Sequence, residues 1–257
     1  MIKKTCELLK SNFKIPVQYI CLLCGSAIHE KDPRDIDFIV YVESEKLFQI
    51  SKKIYDNWGN YAISIDAMDE LNMYAVKLRY MGKPVTLHIV SYSDMERYVE
   101  YACKPETYID VEILAYKLNY TTVYRKWILQ TEYVCGNPTM RTDLISKLNN
   151  SYPEHSVCSI LCWRIKNTIN YCIEKWENDE LARGILLLKV FREVLLYCYA
   201  TNKAYYGTIK DIDIDLRNFN GKKDLCRKCT ELFRMVNHDI NSEQIQKLLY
   251  ELEECID

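Results

Sequence analysis

The spacing of apolar residues changes once along this chain, and that change constrains the fold more than any other feature. Up to about residue 95, short apolar runs with the two-residue alternation of strands are separated by turns and an amphipathic helix. From about residue 108 onward, apolar residues recur at the three- and four-residue spacing of helices. We therefore predict an α+β protein, in which a small mixed sheet with flanking helices (residues 1–110) precedes a helical bundle domain (residues 111–257).

The local patterns predict which segments form each part. Strands are predicted for "VQYICLLCG", "DIDFIVYV", "YAISIDAM" and the hairpin formed by "YAVKLRY", "MGK" and "PVTLHIVS". These segments make a sheet of four or five strands, with "SEKLFQISKKIYDNW" as a helix beside it. The long helical stretches of the second part are 108–132, 156–178, 180–202, 223–236 and 242–255.

Composition excludes several classes of protein. The formal net charge is -2, so no overall basic field indicates a nucleic-acid partner. No apolar run is long enough to span a membrane, and the N-terminal residues are too charged for a secretory signal, so we expect a cytoplasmic protein. The 12 cysteines are expected to be small buried side chains. Two CxxC pairs, Cys21 with Cys24 and Cys226 with Cys229, could form a zinc site, but a CxxC inside a strand lacks the turn that directs both sulfurs at one metal.

The stretch "CGSAIHEKDPRDIDFIVYV" places two like charges on a strand that is otherwise apolar. Asp35 and Asp37 share one face because strand side chains alternate. Such a face can simply meet water, but a divalent cation would also offset the repulsion between the two carboxylates. Gly25 and Ser26 end the preceding strand, where a glycine lets backbone N–H groups approach a phosphate.

This arrangement resembles the signature of the DNA polymerase β-like nucleotidyltransferase superfamily: Gly25-Ser26, a spacer, then Asp35 and Asp37 flanking one hydrophobic residue. The resemblance implies that Gly25 and Ser26 bind the triphosphate of an NTP, with ATP as the expected nucleotide. It implies that Asp35 and Asp37 bind Mg²⁺. The hydroxyl of an acceptor would attack the α-phosphate and release pyrophosphate.

The superfamily pattern also includes a third acidic residue on a neighbouring strand, and here the sequence departs from it. The corresponding position falls on Thr86 or His88, neither of which is a carboxylate. His88 could act as a general base, or it could be a hydrogen-bonded core histidine. Asp66 is the other candidate for the third acid, although a turn aspartate would look the same.

A second, weaker resemblance covers "LLLKVFREVLLYCYATNKAYYGTIKD", residues 186–211, which is similar to the C-terminal domains of antibiotic (aminoglycoside and lincosamide) nucleotidyltransferases. It implies that Lys189 pairs with phosphate and that Glu193 activates the acceptor hydroxyl. The alternative is a solvated ion pair at helical i, i+4 spacing.

Together these observations predict an enzyme that transfers an NMP from Mg²⁺-bound NTP to a hydroxyl of a small molecule, an antibiotic being the first acceptor to consider. One alternative is nucleotidylation of a protein or tRNA, as in toxin-type members of the superfamily. Another is a nucleotide-binding regulator that has lost turnover together with the third carboxylate.

Overall fold

A computed structural model describes residues 1–68, 72–109, 120–174, 180–208, 210–236 and 242–256 of the chain. Two compact units make up the protein: Met1–Tyr101 with Val123–Ser151, and Ala102–Thr122 with Tyr152–Asp257. The predicted domain boundary between residues 110 and 111 lies outside the described residues.

The first unit is built on a six-stranded mixed sheet with the order β3-β4-β5-β2-β1-β6. Its strands are β1 Tyr19–Cys24, β2 Ile36–Val42, β3 Ala62–Met68, β4 Met73–Tyr80, β5 Lys83–Ser91 and β6 Glu132–Gly136. β2 and β5 pair in parallel, and the other neighbours pair antiparallel. With its flanking helices and the helical region that follows, the protein has the predicted α+β class.

Helices flank this sheet and make up the second unit. Those of the first unit are α1 Ile2–Asn12, α2 Leu47–Trp58, α3 Tyr92–Tyr101, the π-helix Val123–Leu129 and α6 Thr139–Asn150. Those of the second unit are α4 Glu106–Ile109, α5 Tyr120–Thr122, α7 Glu154–Glu174, α8 Glu180–Thr201, α9 Ile212–Asn218, α10 Lys223–Val236 and α11 Ser242–Ile256. No helix in the described part of the chain combines the length and apolar character needed to cross a membrane.

One face of the sheet forms the main core of the first unit. The alternation in β2 sends Phe38, Val40 and Val42 to this face, where all three are fully buried. The apolar sides of α1 and α2 cover it, with Leu9 and Ile54 in the same cluster. On this side of the sheet the central strands are therefore buried beneath α1 and α2.

The opposite face is apolar at one end and polar at the other. At the apolar end, the hydroxyl of Tyr41 donates a hydrogen bond to the carbonyl of Trp127 in the π-helix, which α6 contacts in turn. At the polar end lie the side chains of Asp37, Thr86 and Lys77, which the strand register aligns in a row. This row of polar side chains is where the candidate site lies.

Sequence patterns predict four or five strands in the first 95 or so residues, where the structure has five, and a sixth strand joins the sheet from farther along the chain. The additional strand, β6, follows the π-helix and pairs with β1. It is only five residues long, and its pairing is irregular beside Cys21 and Leu22. A short edge strand of this kind has too few residues to produce a clear alternation.

Candidate active site

The end of β1 brings Gly25 against the second aspartate of the signature. Cys24 is paired with Asp37 across β1 and β2, so the next residue, Gly25, lies beside that carboxylate. Gly25 has a φ of 73°, and a Cβ atom built on it would be 3.3 Å from Oδ2 of Asp37. Both the backbone conformation and the close approach favour glycine here. A short 3-10 helix, Gly25–Ile28, follows and leaves Ser26 exposed.

A lysine from β5 holds the loop between Ser26 and Asp35. The ammonium group of Lys83 donates to Oδ1 of Asp32 and to the carbonyl of Pro33. This ammonium group also keeps the pKa of Asp32 below its ordinary value. Asp35 follows the loop as an exposed residue directly before β2. The anchored loop therefore leads the chain back to the aspartate pair.

Asp37 carries the most perturbed carboxyl group of this region. Burial raises its pKa to about 6, and the nearby charge of Asp35 acts in the same direction. A hydrogen bond from Thr86, its register partner on β5, opposes the rise. The carboxylate is thus ionised at neutral pH, although burial and the charge of Asp35 both disfavour its ionised form. A bound cation would therefore stabilise this carboxylate strongly.

His88 lies on β5 two residues beyond Thr86 and faces the same side of the sheet. Its Nε2 atom is 4.0 Å from Oδ1 of Asp37, and its ring stacks on Trp127 with centroids 5.8 Å apart. Burial, followed by the charge of Lys77, lowers the pKa of His88 to about 4, so the imidazole is neutral at neutral pH. Its Nδ1 atom is buried and has no hydrogen-bond partner within the described residues. The structure thus brings together Gly25, Asp37 and His88.

Asp66 lies on the same face but far from the aspartate pair. It is on β3, three strands from β2, and neighbouring strands are about 4.8 Å apart, so roughly 14 Å separates the strand of Asp66 from the strand of Asp37. Asp66 instead forms an ion pair of 2.5 Å with Lys77, which lowers the pKa of its carboxyl group. One metal ion cannot contact Asp66 and Asp37 at these separations.

Lys189 and Glu193 belong to the second unit, on α8. Glu193 is only 2% exposed, and the hydroxyl of Thr168 on α7 donates a hydrogen bond of 3.0 Å to its Oε2 atom. Lys189, one turn earlier, is exposed, and no ion pair joins these two described residues. The solvated ion pair considered as an alternative for Lys189 and Glu193 is therefore absent.

Sequence reasoning missed Lys77, Lys83 and Trp127, which shape the electrostatics and walls of this site. Lys77 carried a detectable signal, because the alternation in "YAVKLRY" places a charge on a half-buried strand. Lys83 contacts the loop before Asp35, and Trp127 contacts His88. In both cases the partners are about 40 or more positions apart in the sequence. Such contacts leave no local pattern.

The donors present suit Mg²⁺ better than zinc. Within the described residues, no group of three or more His, Cys, Asp or Glu side chains could hold a metal ion. The structure describes all 12 cysteines as thiols, and Cys21 and Cys24 point to opposite faces of β1. Mg²⁺, however, is commonly held by one or two carboxylates together with water and substrate phosphates. The pair Asp35 and Asp37, with its unfavourable charge, fits that requirement.

Neither a model of a known protein family nor a curated protein matches this sequence. Among solved structures, the fold is similar to a nucleotidyltransferase-like protein from Exiguobacterium sibiricum 255-15, with a TM-score of 0.49 and 11% sequence identity. The similarity covers 100% of this chain and 74% of that chain. At this level of similarity, neither a family nor an activity of this chain follows.

Proposed function

We propose that this protein is a Mg²⁺-dependent nucleotidyltransferase that transfers an NMP from an NTP, with ATP as the first candidate, to a hydroxyl of a small molecule. The observation that carries the proposal is the contact between the Gly25 position and Asp37. It brings the two halves of the signature, Gly25-Ser26 and Asp35-Asp37, together at one end of the sheet, where Ser26 and Asp35 are exposed.

Each signature residue has a role that its chemistry supports. The backbone of Gly25 and the exposed Ser26 would bind triphosphate oxygens, because a left-handed glycine lets N–H groups approach an anion closely. Asp35 and Asp37 would hold Mg²⁺. When bound, the ion neutralises phosphate charge and orients an in-line displacement. The strand that carries Asp37 is buried on its other face, which keeps the carboxylate rigidly positioned.

In the proposed reaction one P–O bond forms, another breaks, and one proton is transferred. The acceptor oxygen bonds to the α-phosphorus, the bond from the α-phosphorus to the bridging oxygen breaks, and pyrophosphate leaves. The proton of the acceptor hydroxyl passes to a base. His88 is our first candidate for this base, because its Nε2 atom lies 4.0 Å from Oδ1 of Asp37, whose carboxylate would stabilise the protonated ring. Glu193 is the second candidate, and Lys189 is the proposed phosphate contact on α8.

Pyrophosphate release tests the proposal directly. The full chain is mixed with ATP, GTP, CTP or UTP, with and without Mg²⁺, and with aminoglycosides, lincosamides, tRNA or a protein extract as acceptors. We expect Mg²⁺-dependent release with one acceptor class and its loss in Asp37→Asn. Asp56→Asn, which changes an exposed aspartate on α2, is the matched control. Normal release by Asp37→Asn would overturn the proposal.

The base is identified by comparing two variants. Removing a general base typically costs about 10²–10⁴-fold in rate. We expect His88→Gln to lower turnover in this range with little change in nucleotide affinity, and Glu193→Gln to keep turnover near that of the wild type. The opposite result would assign the base to Glu193.

A nucleotide-binding regulator is the second candidate function. The observation that favours it is the presence of Thr86 and His88 on β5, where the superfamily pattern has a carboxylate. Mg²⁺-dependent binding of a non-hydrolysable NTP, without pyrophosphate release for any acceptor, would support this candidate over the enzyme.

We also place the protein in a reducing compartment, the cytoplasm being the proposed one. All 12 cysteines are free thiols in the structure, and disulfides are rare in proteins of the cytosol.

A further inference from the structure

A cavity of about 350 Å³ lies within the second unit, between α8, α9 and α10. Pockets that bind small molecules commonly have volumes of about 300–1,000 Å³. Its lining residues include Phe191, Ile212, Leu216, Thr230, Phe233 and Arg234. Neither proposed catalytic aspartate contributes to it, since both belong to the first unit.

The walls of this cavity are mainly apolar. The rings of Phe191 and Phe233 lie 5.0 Å apart in a tilted arrangement, and Ile212 and Leu216 supply aliphatic surface. Phe191 is buried, whereas Phe233 is 46% exposed. Covering the exposed part of an aromatic side chain with an apolar group is favourable, because it removes apolar surface from water. The cavity therefore offers an apolar ligand a surface to bury.

A second cavity, of about 590 Å³, continues from the first along α9 and α10. The two share Asp213, Leu216, Thr230 and Arg234 as lining residues. The second cavity is more polar, and its further lining residues are Arg217, Phe219, Lys223, Cys226, Arg227 and Glu231. The two cavities form one groove, with an apolar end and a charged end.

Charge at this end of the groove is unbalanced. Arg217 is paired with Asp213 at 2.5 Å, and Arg227 lies 3.8 Å from Glu231. Asp213 and Glu231, the two carboxylates that line the groove, are therefore both paired with an arginine. The side chains of Lys223 and Arg234, in contrast, have no ion pair or hydrogen bond with any residue in the described part of the chain. Arg234 thus leaves a positive charge beside the apolar cavity, and Lys223 adds a second one farther along the groove.

We propose that this groove binds a small amphiphilic anion: an aromatic or aliphatic body in the apolar cavity and one carboxylate, sulfonate or phosphate at Arg234. Arg234 lines both cavities and so lies where the apolar body ends. Its guanidinium group can form two parallel hydrogen bonds with such an anion. The apolar walls select the body of the ligand, and Arg234 selects its charge, with the charge of Lys223 adding to the positive field of the groove.

Fluorescence titration of the full chain with 1-anilinonaphthalene-8-sulfonate tests this site, followed by displacement with octanoate or octan-1-ol. We expect one probe molecule per chain, displaced at least tenfold more effectively by octanoate. A hydrogen bond to a charged group contributes about 1.5–3 kcal/mol, so Arg234→Gln with Lys223→Gln should weaken probe binding by at least about tenfold. Both are exposed side chains, so circular dichroism should be unchanged.

The matched control replaces Lys53 and Arg79, exposed cations of the first unit, by Gln and should leave binding unaltered. Equal binding by the groove variant and the wild type would overturn the proposal, as would equal displacement by octan-1-ol. Probe release on dimerisation, seen by sedimentation velocity, would assign the groove to a second copy instead. Co-sedimentation with phosphatidylglycerol vesicles, without displacement of the probe by octanoate, would assign it to a lipid surface and also overturn the proposal.

Discussion

Asp37 combines partial burial with a like-charged neighbour, and both effects disfavour its ionised form. Its folded-state pKa of about 6 lies above the ordinary value of 3.8. Below pH 3.8 the group is neutral in both folded and unfolded chains. Between pH 3.8 and 6 the unfolded chain releases the proton first, so this residue lowers stability as the pH rises.

Replacing Asp37 by Asn should therefore raise the free energy of unfolding above that of the wild type, and this gain should be larger at about pH 8 than at about pH 4. The full pKa displacement corresponds to at most about 3 kcal/mol. Because 33% of the side chain is exposed, solvent screening reduces the expected gain to about 1 kcal/mol. Urea unfolding at both pH values measures it. Asp56→Asn should give no such pH-dependent gain, and a gain for Asp37→Asn that shrinks with rising pH would contradict the assignment.

Thr86 has the opposite effect on the same carboxyl group. Its hydrogen bond favours the ionised form of Asp37, so Thr86→Val should raise the pKa of Asp37. A net hydrogen-bond contribution of about 1 kcal/mol predicts a rise of up to about one pH unit. A ¹³C NMR titration of the aspartate carboxyl carbons measures this pKa.

Ser64→Ala is the matched control for Thr86→Val. Ser64 lies in the same row of side chains, but its hydroxyl bonds to Asp66. Its removal should move the titration of Asp66 and leave Asp37 unchanged. A lower pKa for Asp37 in Thr86→Val would show that the hydroxyl does not stabilise the carboxylate.

At the scale of elements, the edge strand β6 depends on a single glycine. Gly136 has a φ of 97°, and a Cβ atom built there would be 2.9 Å from Cα of Ile20 on β1. Neither the backbone conformation nor the space admits another residue without movement of β1 or β6. The attachment of β6 to the sheet thus requires glycine at this position.

Gly136→Ala should destabilise the protein by roughly 2–4 kcal/mol, since positive φ and overpacking each cost about 1–2 kcal/mol or more. Gly184→Ala is the control, because Gly184 lies inside α8 and a Cβ atom built on it would have nothing within 4 Å. That change should stabilise by up to about 1 kcal/mol. Thermal unfolding of both variants measures the difference, and equal effects would refute this explanation of β6.

For the whole molecule, the cysteines report on the packing of both units. Cys21 and Cys24 are buried in the first unit, and Cys172, Cys198, Cys226 and Cys229 in the second. Cys103 is exposed. Because alkylation requires an accessible thiolate, burial protects a thiol both by blocking access and by disfavouring its charge.

N-ethylmaleimide should therefore modify Cys103 first in the folded protein, and Cys103→Ser should remove this fast reaction. The buried thiols should react only as denaturant unfolds the unit that contains them. Peptide mapping by mass spectrometry at increasing urea concentration follows each thiol separately. Modification of the buried thiols at the rate of Cys103 without denaturant would contradict the described packing.

Local patterns alone determined the α+β class, the strands β1 to β5 and the side of β2 that carries Asp37. The reason is that alternation and helical spacing reflect backbone geometry over a few residues. The signature of Gly25-Ser26 followed by Asp35-Asp37 could also be recognised in the sequence, because its two halves are only a short loop apart. They meet in the fold because this loop joins two strands that pair directly.

Only the tertiary structure decided which distant residues meet. The parallel pairing of β2 with β5 brings Thr86 and His88 beside Asp37, and the strand order moves Asp66 three strands away. Trp127 reaches His88 from a π-helix, and Glu193 is enclosed between α7 and α8 by Thr168. These contacts depend on burial and pairing across long separations, which the spacing of neighbouring residues does not encode.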